Sequence, residues 1–180
     1  MSVKLLNRKM VRSSKPRADS TIQPLNRPII HIANQQRSKK INSRLLKQII
    51  RNLFAELKIS EAELGFHLVG ATEMARVNWQ FLQHEGSTDV ITFDHSNAEC
   101  GVRSAALKLH GEIFICVDDA VEQSKEFGTT WQSEVVRYAV HGVLHLLGYD
   151  DLKPHLRREM KREENRLVRL LTKRFLFEKL

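Results

Sequence analysis

The segment from Ala139 to Asp151 contains two histidines four residues apart, a glycine turn and two carboxylates in an otherwise apolar run. An α-helix turns about 100° per residue, so His141 and His145 would lie one turn apart on the same helix face. Two neutral imidazoles in this arrangement can bind one divalent ion such as Zn²⁺. The alternative is a pair of hydrogen-bonded core histidines, but the carboxylates that follow favour a metal site.

A third ligand can come from the residues that follow this helix. Gly148 allows a left-handed turn, which would bring Asp150 or Asp151 back beside the two imidazoles. Three protein ligands leave one coordination position for water, as in catalytic rather than structural zinc sites. The sequence therefore predicts a metal site formed by a helix and the turn after it.

The residue after the first histidine narrows the class of reaction. Zinc proteases of the H-E-x-x-H type carry a glutamate there as the general base, whereas this chain has Gly142. A metalloprotease-like hydrolase is therefore the less favoured prediction. A divalent ion lowers the pKa of its bound water towards ~7, and phosphodiester cleavage fits this chemistry. We expect the metal-bound water to be the catalytic group, and no side chain is identified as a general base.

Four apolar runs typical of strands alternate with five segments of helical spacing. The strand-like runs cover residues 28–34, 63–70, 88–95 and 110–117, and the helical segments cover residues 41–59, 71–82, 118–127, 131–147 and Pro154 onwards. Several connections are too short for a crossover between parallel neighbours. We therefore expect an α+β fold, a small mixed four-stranded sheet packed with about five helices, with the metal site on the fourth helix and its turn.

Polar residues and glycines mark the ends of these helices. Thr72 is expected to cap the second helix, and Thr130 the helix that carries both histidines. Asp118 or Asp119 could cap the third helix, which Gly128 would end.

Length and composition indicate one soluble domain. The chain has 180 residues, of which 42% are hydrophobic, enough for a single core. No apolar segment approaches the ~20 residues of a membrane span, and the basic start has no apolar stretch typical of a secretory signal. Cys100 and Cys116 are too few for a disulfide scaffold or a cysteine-based zinc site. We expect a cytoplasmic protein with no membrane partner.

The net charge of +8 is unevenly distributed. Residues 1–40 hold ten Lys and Arg against one acid, residues 41–152 hold nine against sixteen, and residues 153–180 hold ten against four. Residues 1–27 lack apolar periodicity and are predicted to form a basic, flexible arm, and residues 28–180 a single catalytic domain with a basic C-terminal helix. The basic ends could bind RNA phosphates with a steep salt dependence, or they could be solvated surfaces without a partner.

Three motifs resemble those of the YbeY proteins, a family of metal-dependent endoribonucleases. "HGVLHLLGYDD" resembles the signature H-G-x-L-H-L-x-G-Y-D-H, "MARVNWQFLQHEGSTDVITF" is similar to M-x-x-L-N-x-x-Y-R followed by T-D-V-L-S-F, and "HGEIFI" is similar to L-G-D-I-x-I. Their order and spacing match over about residues 28–170. The resemblance implies a single-strand-specific, zinc-dependent endoribonuclease in ribosomal RNA maturation, at the 3′ end of 16S rRNA, and in ribosome quality control. Ribosomal RNA and small-subunit proteins would be its partners.

Two positions depart from the family pattern. The third ligand, usually a histidine, is Asp151, so the implied metal ligands are His141, His145 and Asp151, with Asp150 as the rival. A carboxylate is a harder ligand than imidazole, adds negative charge and should make the bound water less acidic. Leu82 stands where the family usually has an arginine expected to contact the substrate phosphate, which leucine cannot do. The chain would then be a weaker nuclease, recruit another cation, or be a ribosome assembly factor with a structural metal.

Three other polar positions have open interpretations. Asp89, from the T-D pair of the motif, could line the cleft or open a strand. Glu112 could contact the site or lie on the surface. Arg137, one turn before His141, could pair with carboxylates of the site or form a plain surface ion pair.

Overall fold

The structure, a computed structural model, describes residues 28–95 and 108–180, so the predicted arm over residues 1–27 lies outside the described residues. The strands are β1 (Ile29–Asn34), β2 (Glu61–Val69), β3 (Val90–Asp94) and β4 (Lys108–Cys116). The helices are α1 (Ser43–Glu56), α2 (Ala71–Leu82), α3 (Val117–Phe127), α4 (Trp131–Leu146) and α5 (Pro154–Arg174), followed by a 3₁₀ turn, Phe177–Lys179. No helix in these ranges has the length and apolar character needed to cross a membrane. The predicted α+β fold is confirmed.

The sheet is mixed, as predicted, with the strand order β1-β2-β4-β3. β1, β2 and β4 run parallel, and β3 pairs antiparallel with β4. Helix α1 makes the crossover between the parallel neighbours β1 and β2, which a short turn could not make. The mixed order leaves β3 at one edge of the sheet.

The main core lies between one face of the sheet and the helices α1, α4 and α5. Alternate residues of β2 and β4 face it, including Phe66 and Ile113, both fully buried. Helix α4 is buried along most of its length, and its residues Val140 and Leu144 are inaccessible to solvent. The histidines of α4 are only partly buried, so they lie at the border of the core. Helix α2 covers part of the opposite face of the sheet through a smaller cluster around Met74.

Gly142 allows α4 to lie directly against β4. A Cβ atom at this position would lie 2.6 Å from the Cγ2 atom of Ile113, closer than van der Waals contact permits. No larger side chain fits without movement of the helix or of Ile113. This contact is a physical reason why the glutamate of the H-E-x-x-H pattern cannot occupy this position.

Gly142→Ala is therefore expected to lower the free energy of unfolding by about 1–3 kcal/mol, the usual cost of overpacking, despite the better helix propensity of alanine. Urea denaturation would measure this change. In an Ile113→Ala background, where the opposing methyl group is absent, the same substitution should cost less. An equal cost in both backgrounds would contradict the proposed clash.

The predicted ends of the helices next to the site are confirmed. The Thr130 hydroxyl caps α4 by accepting a hydrogen bond from the Ser133 backbone N–H at 3.2 Å. Gly128 ends α3 in the left-handed region with φ +64°, and Pro154 is the first residue of α5. Thr130 thus fixes the start of the helix that carries both histidines.

The predicted caps of α2 and α3 are wrong, because long-range partners replace the local ones. Neither Thr72 nor the two aspartates makes a capping bond to its own helix. The Asp118 carboxylate instead accepts a hydrogen bond from the Ala71 N–H at 2.7 Å, so it caps the start of α2 from α3. Asp119 accepts a hydrogen bond from the Ser87 hydroxyl at 2.9 Å. Both carboxylates therefore connect α3 to segments that precede it by more than thirty residues.

Candidate metal centre

A glycine turn at the end of α4 brings the chain back towards the two histidines. Leu147 is the C-cap residue, and Gly148 follows with φ +89°, in the left-handed region predicted for it. The Tyr149 N–H donates a hydrogen bond to the Leu144 carbonyl at 3.1 Å, which closes the turn. The aspartates after Tyr149 then run beside the last turn of the helix.

The structure brings together the three residues predicted as metal ligands. The Nε2 atoms of His141 and His145 lie 3.0 Å apart, and an Asp151 carboxylate oxygen lies 4.0 Å from the His141 Nε2 atom. One ligand atom from each residue lies within 4.8 Å of the others. Asp150 is not part of this group, and its carboxylate accepts the Leu152 N–H at 2.9 Å. Of the two aspartates left open by the turn, Asp151 is the one that reaches the histidines.

The hydrogen bonds of the two rings determine which nitrogen atoms are free. The Nδ1 atom of His141 lies 3.0 Å from a Glu164 carboxylate oxygen, and that of His145 lies 3.1 Å from the Tyr149 carbonyl oxygen. Both partners can only accept, so each Nδ1 atom carries the proton and donates. The two Nε2 atoms are therefore the ring nitrogens that face each other, beside the carboxylate of Asp151, and in a neutral ring this nitrogen carries a lone pair. A cation between the two Nε2 atoms and the carboxylate oxygen would be stabilised by all three atoms.

The geometry and charge state fit a divalent metal ion. Two ligands each about 2.0–2.1 Å from one ion lie roughly 3.0–3.5 Å apart, which the Nε2 pair matches. Burial, and then the neighbouring His141, lower the pKa of His145 below its ordinary value of 6.5. The ring is neutral at neutral pH, as a metal ligand must be. Two imidazoles and one carboxylate form the ligand set of many hydrolytic zinc sites.

Glu164 of α5 supports the group from behind, and the sequence analysis missed it. Its side chain is buried, with a residue exposure of 4%, and one oxygen lies 2.5 Å from the Arg137 guanidinium. Burial alone would raise the pKa of Glu164, but hydrogen bonds from His141 and Arg137 outweigh it and hold the pKa below its ordinary value. Glu164 is therefore an anion that can orient His141. A sequence signal existed, since Glu164 follows Met160 by four residues and precedes Leu167 by three, on the apolar stripe of α5.

Arg137 pairs with carboxylates next to the site and is not a plain surface residue. Besides Glu164, its guanidinium donates to the Asn165 side-chain oxygen at 2.9 Å and lies 3.4 Å from Glu134, which is also buried. Glu134 in turn accepts a hydrogen bond from the Thr129 hydroxyl at 2.6 Å. The Arg137 charge is thus fully engaged by buried partners, which balance it.

We call His141, His145 and Asp151 the metal group. A groove of about 620 Å³ opens on one side of it, between β3, the end of α2 and α4, and we call this opening the strand groove. His141, His145 and Asp151 line it together with Leu82, which is 48% exposed. Among its described lining residues none is Lys or Arg. The departure at Leu82 therefore falls within the groove that contains the metal group.

A second opening lies on the other side of His141 and Asp151, between α3, α4 and α5, and we call it the helical cavity. It has a volume of about 320 Å³. Arg157 and Lys161 of α5 line it, as does Tyr138 of α4. The metal group is thus accessible from two directions with different charge.

Asp89 and Glu112 differ in their relation to the site. Asp89 lines both openings, and its carboxylate also accepts the Val90 N–H at 2.9 Å, so it both lines the cleft and opens β3. Glu112 lies 3.5 Å from His67 and 3.7 Å from His95. It does not line either opening. Glu112 thus pairs with histidines outside the metal group.

The α+β fold and the His-His-Asp group on a helix and its turn define a candidate metallohydrolase. Within that class the chain belongs to the YbeY family, because the family model described as Endoribonuclease YbeY matches residues 31–172. The resemblance found in the sequence motifs is confirmed. Membership supports an endoribonuclease role, and an endoribonuclease acts on RNA.

Individual relatives agree with this membership. The chain is 32% identical over 126 residues to Endoribonuclease YbeY of Chlorobium phaeovibrioides, covering 70% of this chain and 80% of the relative. It is 29% identical over 140 residues to Endoribonuclease YbeY of Salinibacter ruber, covering 77% and 89%. The solution structure of TM1509 from Thermotoga maritima is similar with a TM-score of 0.56 at 26% identity, covering 79% of this chain and 89% of that one.

Proposed function

We propose that this protein is a zinc-dependent endoribonuclease that cleaves single-stranded RNA. His141, His145 and Asp151 would hold the ion. The observation that carries the proposal is the convergence of two Nε2 atoms and one carboxylate beside an open groove. Membership of an endoribonuclease family supports RNA as the substrate. We further propose that the substrate is ribosomal RNA, at the 3′ end of 16S rRNA, in the cytoplasm, with roles in ribosome quality control and contacts with small-subunit proteins.

The residues of the chain have distinct tasks in this reaction. A divalent ion, when bound, supplies Lewis-acid polarisation of water or of a phosphate oxygen. Glu164 holds the His141 ring by its Nδ1 proton, and the Tyr149 carbonyl holds His145 in the same way, so both Nε2 atoms stay directed at one point. The negative charge of Asp151 favours binding of a cation between the two imidazoles and repels other anions from that position. The strand groove admits an extended strand.

A metal and cleavage assay tests this function. The protein is purified without chelators, its metal is identified, and it is incubated with precursor rRNA, a single-stranded RNA oligonucleotide, its duplex and casein. We expect about one divalent ion per chain, zinc, and cleavage of the precursor and the single strand but not of the duplex or casein. Loss of cleavage on chelation and recovery on adding Zn²⁺ would be consistent with a catalytic ion. Cleavage of casein would instead indicate a protease.

A ribosome assembly factor with a structural metal is the second candidate. The observation that favours it is Leu82, because the strand groove has no Lys or Arg among its described lining residues to meet a phosphate. This candidate predicts the same metal content without RNA cleavage. A stoichiometric ion and uncut precursor rRNA would decide for it.

Deletion of residues 1–27 is expected to weaken RNA binding and to flatten its salt dependence. The segment carries seven Lys and Arg against one acid, and each phosphate contact releases counterions. The measurement is the slope of log affinity against log salt for a single-stranded RNA, with the deleted chain checked for an unchanged melting temperature. An unchanged slope would show that the segment makes no phosphate contacts.

A further inference from the structure

Tyr138, one of the residues that line the helical cavity, has a buried hydroxyl group. Tyr138 is only 3% exposed, it lines the cavity, and within residues 28–95 and 108–180 its hydroxyl oxygen has no hydrogen-bond partner. A buried polar group left unpaired costs about 1–3 kcal/mol, so such groups commonly mark a site for a ligand or an ordered water. The volume of about 320 Å³ is at the lower end of the range of ligand pockets.

Two cations of α5 line the same cavity and have no carboxylate partner in the described part of the chain. Arg157 and Lys161 are four residues apart, so they lie on one face of the helix. Arg157 uses its Nε atom to donate to the Asp151 carbonyl at 2.9 Å, which leaves its two terminal nitrogens available. Neither residue forms an ion pair with any described residue, whereas Arg137, the third cation of the cavity, is engaged by Glu164 and Glu134. Arg157 and Lys161 can therefore receive an external anion.

The remaining walls suit a nucleobase. The Phe127 ring at the end of α3 is 59% exposed and lines the cavity, as does the buried Met160 of α5. Burial, and then the carboxylates of Asp89 and Glu134, raise the pKa of Tyr138, so negative charge lies near its hydroxyl. That end of the cavity repels a phosphate and favours a hydrogen-bond donor such as the amino group of a base.

We propose that the helical cavity is a nucleotide subsite for one unpaired nucleotide of the RNA. The phosphate contacts Arg157 and Lys161, and an amino-bearing base lies against Phe127 near the Tyr138 hydroxyl. His141 and Asp151 line both openings, so a nucleotide bound here continues towards the strand groove. The strand groove has no Lys or Arg among its described lining, so the substrate phosphate receives its positive partners from α5. That the bound nucleotide lies next to the cleaved phosphodiester bond rests on the proposed function. That the cavity binds a nucleotide does not.

Titration of the full-length, metal-loaded protein with cytidine 5′-monophosphate, followed by NMR or calorimetry, tests the subsite. The double variant Arg157→Gln and Lys161→Gln should bind the nucleotide at least about tenfold more weakly, because each lost contact is a charge-assisted hydrogen bond. The double variant Arg158→Gln and Arg162→Gln is the matched control. It removes two positive charges at the same spacing on the same helix but outside the cavity, and it should change the affinity less than about twofold.

A second pair of measurements tests the base end of the cavity. Tyr138→Phe keeps the buried ring but removes the hydroxyl, and it should weaken binding of cytidine 5′-monophosphate by about threefold or more. The melting temperature of the free protein should not fall, because the variant no longer buries an unpaired hydroxyl. Uridine 5′-monophosphate, which has a carbonyl in place of the amino group, should bind more weakly than the cytidine nucleotide, and inorganic phosphate more weakly than both.

Equal losses in the two double variants, or equal affinity for inorganic phosphate and the cytidine nucleotide, would overturn the subsite. Equal affinity for the two nucleotides would overturn the assignment of an amino-bearing base. RNA cleavage separates the two proposals. Nucleotide binding without cleavage would overturn the nuclease function and retain the subsite, whereas cleavage without nucleotide binding would do the reverse.

Discussion

His145→Ala is expected to remove most of the bound divalent ion and to slow RNA cleavage by at least about 100-fold. One of the two converging Nε2 atoms is lost, and a site with one imidazole and one carboxylate binds a divalent ion far more weakly. Because the pKa of His145 is lowered, protons compete little with the metal for this ring in the unaltered protein. Removing the ring therefore gains little that could offset the lost ligand. Asp151→Ala should give a similar loss, because the third donor comes from this residue.

Metal content by elemental analysis and cleavage of a single-stranded RNA are the two measurements. His155→Ala is the control, since His155 is an exposed histidine of α5 that is not part of the His-His-Asp group. It should retain both metal and activity. Stoichiometric metal in His145→Ala and in Asp151→Ala would overturn the ligand set.

Glu164→Ala is expected to lower the free energy of unfolding by about 3–5 kcal/mol, the usual cost of removing one partner of a buried ion pair. The substitution leaves the Arg137 guanidinium without its 2.5 Å partner and the His141 Nδ1 proton without an acceptor. Because the pKa of Glu164 is below its ordinary value of 4.5, this stabilisation is present above pH 4.5 and is lost as the pH falls below it. Urea denaturation in the presence of a chelator measures the effect without the metal.

Two variants separate orientation of the histidine from stability. Glu164→Gln keeps the volume and one acceptor oxygen, and it should weaken metal binding by about 10–100-fold in competition with a zinc-chelating dye, with a smaller loss of stability. Glu163→Ala removes the neighbouring carboxylate, whose ion pair among the described residues is with Arg166 of the same helix, and should cost less than about 1 kcal/mol. Equal stability losses in Glu164→Ala and Glu163→Ala would contradict the buried ion pair.

The parts of the site that the sequence predicted are those encoded by nearby residues. The spacing of His141 and His145 and the turn at Gly148 follow from helix geometry and from the freedom of glycine at positive φ. The identity of the third proposed metal ligand could not be predicted from the turn alone, because Asp150 and Asp151 both follow it. The structure shows that Asp150 accepts the Leu152 N–H, whereas Asp151 lies beside the histidines.

Features that depend on distant residues were missed or predicted wrongly. Glu164 reaches His141 across 23 positions, and Asp118 caps the start of α2 from 47 positions away. Local rules for helix caps favoured Thr72, since they consider only neighbours along the chain. The buried position of Glu164 on the α5 stripe was visible in the pattern, but its partner could be found only in three dimensions.

The cap on α2 has a consequence for the width of the strand groove. Asp118 accepts hydrogen bonds from the Ala71 N–H and from the Ser38 hydroxyl, so it connects the first residue of α2 to α3 and to the segment after β1. Helix α2 spans twelve residues, about 18 Å, and its last residue is Leu82 on the groove rim. A small rotation about the secured end displaces the far end most. The clearance of the strand groove at Leu82 therefore depends on a hydrogen bond at the opposite end of α2, made by a carboxylate that does not line the groove.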